Sequence, residues 1–314
     1  MATTALISII IPVYNRAEVV KTTLNSVANQ SLRPLEVILV DNNSTDNTLN
    51  VLNEWKKQTE SSDFKITILS ENKPGAASAR NRGLKEAETP YTMFFDSDDI
   101  MLPSHAQRAV DAFKQDATLD VVGWDVDVET LEGKHAQYRF CDTDVLYNHI
   151  FHATFATQRF AARTELFRKV GEWNEILLGW DDYEFGIRIL LSNPKIKRLT
   201  ESATVKVVLQ KESITGTDFS SRPHEWETAL DAIDKALDQS EYYSMKKYID
   251  VRRVILAGFY QHEGATVEAQ RLLSEVLSRS GWYRKIIMKL FYKIISRGGR
   301  GIALLARPML WFTK

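Results

Sequence analysis

Four short runs rich in β-branched and aromatic residues (6–13, 35–40, 65–70 and 91–95) alternate with segments of helical spacing at 17–29, 45–60 and 76–88. Strand then helix, repeated three times, predicts right-handed crossovers and a mostly parallel sheet with helices on both faces. The fold class expected is therefore α/β, of the Rossmann-like kind. In such sheets ligands bind beyond the carboxyl ends of the strands. The polar residues that follow each run are where chemistry is to be sought.

Composition narrows the class without choosing a function. A chain of 314 residues has room for about two domains. Its 44% hydrophobic and 26% charged residues exclude wholesale disorder, a collagen-like chain and a polytopic membrane protein. One cysteine, Cys141, excludes a disulfide framework and a cysteine zinc site, and it suits a reducing compartment. Residues 5–13 are apolar, but no basic segment precedes them and Pro12 interrupts them, so they read as a strand and not a signal peptide. No run reaches the ~18 apolar residues of a spanning helix. A cytoplasmic chain is the expectation.

The strand ends form a consistent set: Val13-Tyr14-Asn15, Asp41-Asn42-Asn43-Ser44-Thr45-Asp46, Glu71-Asn72-Lys73-Pro74-Gly75 and Asp96-Ser97-Asp98-Asp99. Taken singly, each reads equally well as turn and helix-cap chemistry. The acidic cluster strains that reading. Three carboxylates in four residues repel one another unless a cation or hydrogen-bond donors neutralise them. Two carboxylates one residue apart suit Mg²⁺ or Mn²⁺ that also binds substrate phosphates. A phosphatase-type Asp-x-Asp fits less well, because Ile100 stands where Thr or Val is expected and the site is not on the first strand.

Five segments in order carry a resemblance: IIIPVYNR at 9–16, VDNNSTD at 40–46, NKPGAASARNRG at 72–83, FFDSDD at 94–99 and GWDDYEFGIRI at 179–189. From about residue 7 to 215 the chain resembles the inverting, nucleotide-sugar-dependent glycosyltransferases of family 2, with the GT-A fold. That resemblance implies a base pocket lined by Pro12, Val13 and Tyr14, with Asn15 beside it. It implies Asp41 as acceptor for the N3–H of uracil, although Asn42 replaces the usual second Asp. Arg80 would reach base or phosphate oxygens with its planar fork, or else is a solvated helix arginine. Asp96 and Ser97 would serve the nucleotide-sugar, Asp96 through a ribose hydroxyl, and Asp98 the metal. Asp99 either supports the site or caps the next helix.

The same resemblance makes Asp182 the general base that takes the acceptor hydroxyl proton during an inverting displacement. Asp181 would be a neighbour that raises its pKa. Trp180 packs against an acceptor sugar or belongs to the core. Without the other segments, the two acids would simply favour a helix N-terminus. Where the family often has a histidine metal ligand, this chain has Gln210, three residues before Ser213. An amide oxygen is a poorer ligand there.

The expected organisation is a GT-A domain at 1–221, with a nucleotide half (1–99) and an acceptor half (100–221), then a helical appendage at 222–279 and a tail at 280–314. In the appendage, 224–239, 241–263 and 266–279 have amphipathic spacing. The hairpin 251–263 with 266–278 resembles one tetratricopeptide-like unit, too few repeats for an array. The net charge of −1 conceals an asymmetry. Residues 280–314 hold eight basic and no acidic residues, leaving 32 basic against 41 acidic in 1–279. Lys285, Lys289, Lys293 and Arg297 recur every four residues, beside an apolar side of Ile286, Ile287, Leu290, Phe291, Ile294 and Ile295. Such a helix reads as lying on an anionic membrane surface. The plainer alternative is a helix docked on the acidic body.

Taken together, these readings point to a UDP-sugar-dependent transferase, assisted by Mn²⁺ or Mg²⁺. It would act on a glycan or lipid-linked acceptor and sit peripherally on the inner face of the cell membrane. Nucleic acid is not expected as a partner, because the tail lacks a reader fold. Asn42 and Gln210 motivate an alternative, a nucleotide-sugar-binding or scaffold protein of the same fold with little catalysis.

Overall fold

The structure, a computed structural model, describes residues 4–130, 133–209 and 218–311. Gln210, Ser213 and the last three tail residues, with Lys314, lie outside the described residues. The chain divides into two compact units, one of Met1–Val145 with Thr154–Ser213 and one of Leu146–Ala153 with Ile214–Lys314.

The first unit is α/β, as expected. In chain order it contains β1 (Ile7–Val13), α1 (Val20–Ala28), β2 (Leu35–Asp41), α2 (Thr48–Thr59), β3 (Phe64–Ser70), α3 (Ala76–Glu86), β4 (Tyr91–Phe94), β5 (Ile100–Met101), α4 (His105–Gln115), β6 (Val121–Trp124), β7 (Val126–Glu129) and β8 (His135–Tyr138). After α5 (Val145–His152), nearly all of which belongs to the second unit, come β9 (Phe160–Arg163), α6 (Thr164–Val170), α7 (Asp181–Leu191), β10 (Ile196–Leu199) and β11 (Val205–Val208). The main sheet has the order β10-β6-β9-β4-β1-β2-β3. All its pairings are parallel except those of β9, which runs against both β4 and β6. A smaller sheet, β5-β11-β7-β8, forms from short strands.

β1 and β2 are interior strands, buried on both faces as a doubly covered parallel strand must be. Two acids are buried in β2, Glu36 and Asp41. Glu36 is neutralised by Lys65 Nζ at 2.7 Å and by the Ser8 hydroxyl at 2.5 Å. α3 comes unusually close to the sheet, at Gly83. A Cβ there would lie 2.4 Å from Ile10 Cγ2 and 3.2 Å from Val40 Cγ2. This close seat fixes the height of Arg80 and Asn81, one turn earlier on the same helix.

The second unit is helical: α8 (Pro223–Asp238), α9 (Lys246–His262), α10 (Thr266–Ser278), α11 (Trp282–Ile295) and α12 (Ile302–Leu310) gather with Leu146–His152. α9 is its hub, burying Ile249, Val254, Leu256, Ala257 and Tyr260. Its buried Arg253 is held by Asp231 at 2.7 Å and Asp234 at 2.6 Å. α9 and α10 form the hairpin read at 251–278, turning through Gly264 at φ 93°. α11 closes against α9 where Gly258 leaves room, since a Cβ there would lie 2.5 Å from Ile295 Cγ2.

Candidate active site

The strand ends of the main sheet are laced together before any ligand is considered. The Asn42 backbone N–H donates to the Val13 carbonyl at 2.8 Å, continuing the ladder past the end of β1. Asn15, at φ 49°, donates its N–H to the Ser44 hydroxyl at 3.0 Å and accepts the Thr45 N–H at 2.8 Å. Pro12 is half-buried and Val13 buried, while the Tyr14 ring stands 54% exposed above them. Buried Asp41 accepts the Ser44 N–H through Oδ2 at 3.2 Å. Its Oδ1 is buried with no hydrogen-bond partner among the described residues. A buried, unpaired acceptor costs about 1–3 kcal/mol, which a ligand donor would recover.

Asn42 has a purpose that a second aspartate could not serve. Its Nδ2 donates to the Glu71 carbonyl at 2.9 Å and the Lys73 carbonyl at 2.7 Å, and its Oδ1 accepts the Gly75 N–H at 2.8 Å. The amide therefore fastens the loop that leads into α3. A carboxylate has no N–H to give and would face two carbonyl oxygens.

Arg80 connects the two ends of the site. Its buried guanidinium donates from Nη1 to Asp181 at 2.7 Å and from Nη2 to Asp96 at 3.1 Å. It lies over the ring of buried Trp173, 4.6 Å from the centroid. Trp173 in turn stacks on Phe185 of α7 at 4.3 Å and meets the edge of Phe94 at 5.2 Å. Burial works against the charge of Arg80, but Asp181, Asp96 and Asp182 outweigh it and raise its proton affinity. The arginine expected to reach the nucleotide is thus committed to two carboxylates, one after β4 and one at the start of α7.

Neighbouring Asn81 holds the loop that contains Trp173. It donates from Nδ2 to the Trp173 carbonyl at 3.0 Å and Glu175 Oε1 at 2.8 Å, and accepts the Trp173 N–H at 2.8 Å. Lys73 pairs with Glu175 from the other side. Arg188, paired to Glu184 at 2.7 Å, also donates to the carbonyls of Val170, Gly171 and Glu172. Asn81, Trp173, Glu175 and Arg188 are positioning residues that sequence reading did not single out. The available signal was the presence of Lys73 and Asn81 within the 72–83 segment and of Arg188 within the 179–189 segment.

Trp180 caps α7 in the left-handed conformation, φ 56°, and its ring meets Tyr183 edge-on at 5.8 Å. Asp181 and Asp182 form the first turn of α7, with their oxygens near its positive end. Burial first, then Asp181, pushes Asp182 up to about 7, against the pull of Arg80. That value suits a group that must shed and take a proton near neutrality.

In the acidic loop Ser97 and Asp99 are buried, and Asp96 and Asp98 are half-buried. Asp99 accepts the Val208 N–H of β11 at 3.1 Å. Ser104 occupies the N-cap position of the helix that follows, without a side-chain cap hydrogen bond. Burial raises the pKa of Asp98, with Asp96 adding to it and Arg16 opposing. Burial, Asp96 and Asp98 push Asp99 up to about 9. These carboxyls lack sufficient counter-charge. Among the described residues no group of three or more His, Cys, Asp or Glu could hold a metal. Asp98 with Asp96 nevertheless fits a hard cation that takes the rest of its oxygen shell from a diphosphate.

Comparison with known proteins gives this geometry a family. Residues 8–171, just over half of the chain, match the model of Glycosyl transferase family 2. Glycosyltransferase GlyG of Streptococcus pneumoniae is 27% identical over 169 residues, 54% of this chain and 51% of that protein. A poly-beta-1,6-N-acetyl-D-glucosamine synthase of Staphylococcus epidermidis is 34% identical over 116 residues, 37% of this chain and 27% of that protein. The chain thus spans about half or less of the length of these two relatives. Among solved structures, S. aureus TarS 1–349 in complex with UDP-GlcNAc superposes with TM-score 0.67 at 20% identity, covering 93% of this chain and 92% of that one. Mannosyltransferase PcManGT from Pyrobaculum calidifontis, in complex with GDP-Man and Mn²⁺, superposes at 0.58 and 19% identity, covering 98% and 88%. These likenesses show a shared fold, and the family model, covering the strand ends described above, shows that the chain belongs to glycosyl transferase family 2.

Proposed function

We propose that the protein is an inverting glycosyltransferase that moves a sugar from a UDP-sugar to a hydroxyl of a glycan or lipid-linked acceptor, working peripherally at the inner face of the cell membrane. One observation carries the reading. Arg80 joins Asp96, on the expected donor side, to Asp181, next to the expected base, through one buried guanidinium.

In this reading the base of the donor lies by Pro12, Val13 and Tyr14. Its N3–H meets the unpartnered Oδ1 of Asp41, an acceptor that cytosine could not satisfy because it lacks that donor. The TarS complex with UDP-GlcNAc, on the same fold, supports a UDP-sugar. Asn42 keeps the 71–75 loop in place beside the donor, and Asp96 accepts from a ribose hydroxyl. Asp98, with Asp96, would hold Mn²⁺ or Mg²⁺, in keeping with the Mn²⁺ complex of PcManGT. A bound cation would neutralise the negative charge that develops on the departing diphosphate.

Asp182 takes the proton of the acceptor hydroxyl while that oxygen attacks the anomeric carbon and UDP departs. A single displacement of this kind inverts the anomeric configuration. The Arg80 bridge keeps Asp182 at a fixed distance from the donor and holds its pKa below what burial and Asp181 alone would impose. Trp180, at the N-cap of α7, offers a ring edge to the acceptor sugar.

The test is turnover on a panel of UDP- and GDP-sugars with Mn²⁺, followed by NMR of the product's anomeric proton. Release of UDP with inversion is expected. Retained configuration, or equal use of GDP-sugars, would reject the mechanism or the base assignment respectively.

A further inference from the structure

The tail helix α11 has two faces, and they divide its apolar residues differently from the sequence expectation. Ile287, Met288, Phe291 and Ile295 are buried, and they seat the helix in its own unit against α9. Arg284 is drawn inward with them and donates to Asp250 at 2.6 Å. One face of the helix is thus already covered within its own unit. Its outward face should therefore be polar.

It is not. Trp282 is 76% exposed, Ile286 59%, Tyr283 45% and Leu290 42%. Residues 282, 286, 290, 293 and 297 recur at three- and four-residue intervals, the spacing of one helical face. Lys285, Lys289, Lys293 and Arg297 are exposed on and beside that face. No acidic residue occurs anywhere in 280–314. Beyond the break at Gly298–Gly301, Leu304 is 81% exposed and Trp311 62% exposed, while Ile302, Ala306 and Leu310 of α12 are buried.

We infer that the outward face of α11 is a membrane-docking surface, with anionic phospholipid as its partner. It rests on the proposed placement at a membrane, not on the sugar chemistry. Scattered exposed apolar residues need no explanation, but four on one helix face, among cations with no ion-pair partner among the described residues, do. Trp and Tyr sit at the headgroup level, where one side of the ring is wet and the other apolar. Ile286 and Leu290 reach past them into the acyl boundary, while the lysines extend to phosphate oxygens. Charge complementarity favours this partner over a second copy of the same face, which would set cation against cation.

The experiment is flotation of the full chain with two kinds of vesicle, phosphatidylcholine mixed with phosphatidylglycerol and phosphatidylcholine alone. Two variants are compared with wild type: Lys285→Gln with Lys289→Gln and Lys293→Gln, and Trp282→Ser with Ile286→Ser. All these side chains are exposed, and unchanged circular dichroism and melting temperature verify folding. Wild type is expected to float only with anionic vesicles. At roughly a fivefold change per lysine, the charge variant should bind about a hundredfold more weakly. The apolar variant should lose binding to the anionic vesicles as well. Equal flotation on neutral vesicles, none with either, or variants that float like wild type would each overturn the inference. So would a wild-type dimer that the apolar variant abolishes without any vesicle binding, since that would put a second copy on the face. UDP release with a soluble acceptor is measured in parallel. Flotation without turnover would count against the sugar reading alone, and turnover without flotation against the membrane placement and this inference but not the sugar chemistry.

Discussion

Arg80 Nη1 donates to Asp181 Oδ2 at 2.7 Å while Nη2 reaches Asp96 Oδ1 at 3.1 Å. A residue of α3 therefore fixes the separation of two acidic segments 85 positions apart in the chain, Asp96 and Asp181. Removing one partner of a buried ion pair costs about 3–5 kcal/mol, because the other charge is left without compensation. Arg80→Met should lower stability by roughly that amount in chemical denaturation. Arg80→Lys keeps the charge but not the fork, so it should recover stability more than turnover.

Asp182 should give the pH–rate profile its acid limb. Its folded pKa is pushed up to about 7, so the base form declines as pH falls through that value. kcat/KM should rise with pH and level off above about 7, and the limb should vanish in the residual activity of Asp182→Asn. A profile flat from about pH 5 to 8 would be incompatible with Asp182 as the base.

Asp99 makes stability depend on pH in the metal-free protein. Its pKa is pushed from 3.8 up to about 9, so the folded state holds a proton that the unfolded chain releases. That contribution is fully present below about 4 and is lost as pH rises to about 9. Asp99→Asn keeps an acceptor for the Val208 N–H and cannot ionise. In chelator, the melting temperature of wild type should fall progressively below that of Asp99→Asn across this interval.

Asn42→Asp, which would restore the pattern usual in the family, should damage this protein. Two donors to the Glu71 and Lys73 carbonyls disappear. Each unsatisfied group costs about 1–3 kcal/mol, so a tenfold or greater rise in KM for the UDP-sugar is expected, with kcat less affected. An unchanged KM would show that the 71–75 loop does not need Asn42.

Much of this was legible in the chain because it is local. The alternation of strand and helix periods placed β1 to β4 and α1 to α3 to within a few residues. It also put Asp41, Asp96 and Asp98 at strand ends, where a doubly covered sheet exposes its polar turns. What could not be read was which distant group each side chain meets. Nothing about Arg80 names Asp181, and nothing about Asn42 names the Glu71 and Lys73 carbonyls. Periodicity also marked α11 as amphipathic without telling which apolar residues would be covered. Gly258 on α9, far away in sequence, leaves the room in which Ile295 is buried, while Ile286 stays exposed. The short strands β5 to β8, β9 and β10 escaped for a related reason. Runs of two to four residues carry too little pattern of their own and are held by their neighbours in the sheet.

The most direct measurement compares UDP release in a single turnover, with Mn²⁺ and a saturating UDP-sugar and acceptor, for wild type, Asp182→Asn and Asp98→Ala. Loss of the base should slow transfer about 10²- to 10⁴-fold with the donor still bound. Asp98→Ala should slow it as well and remove its dependence on Mn²⁺. Wild-type rates in both variants would contradict the site proposed here.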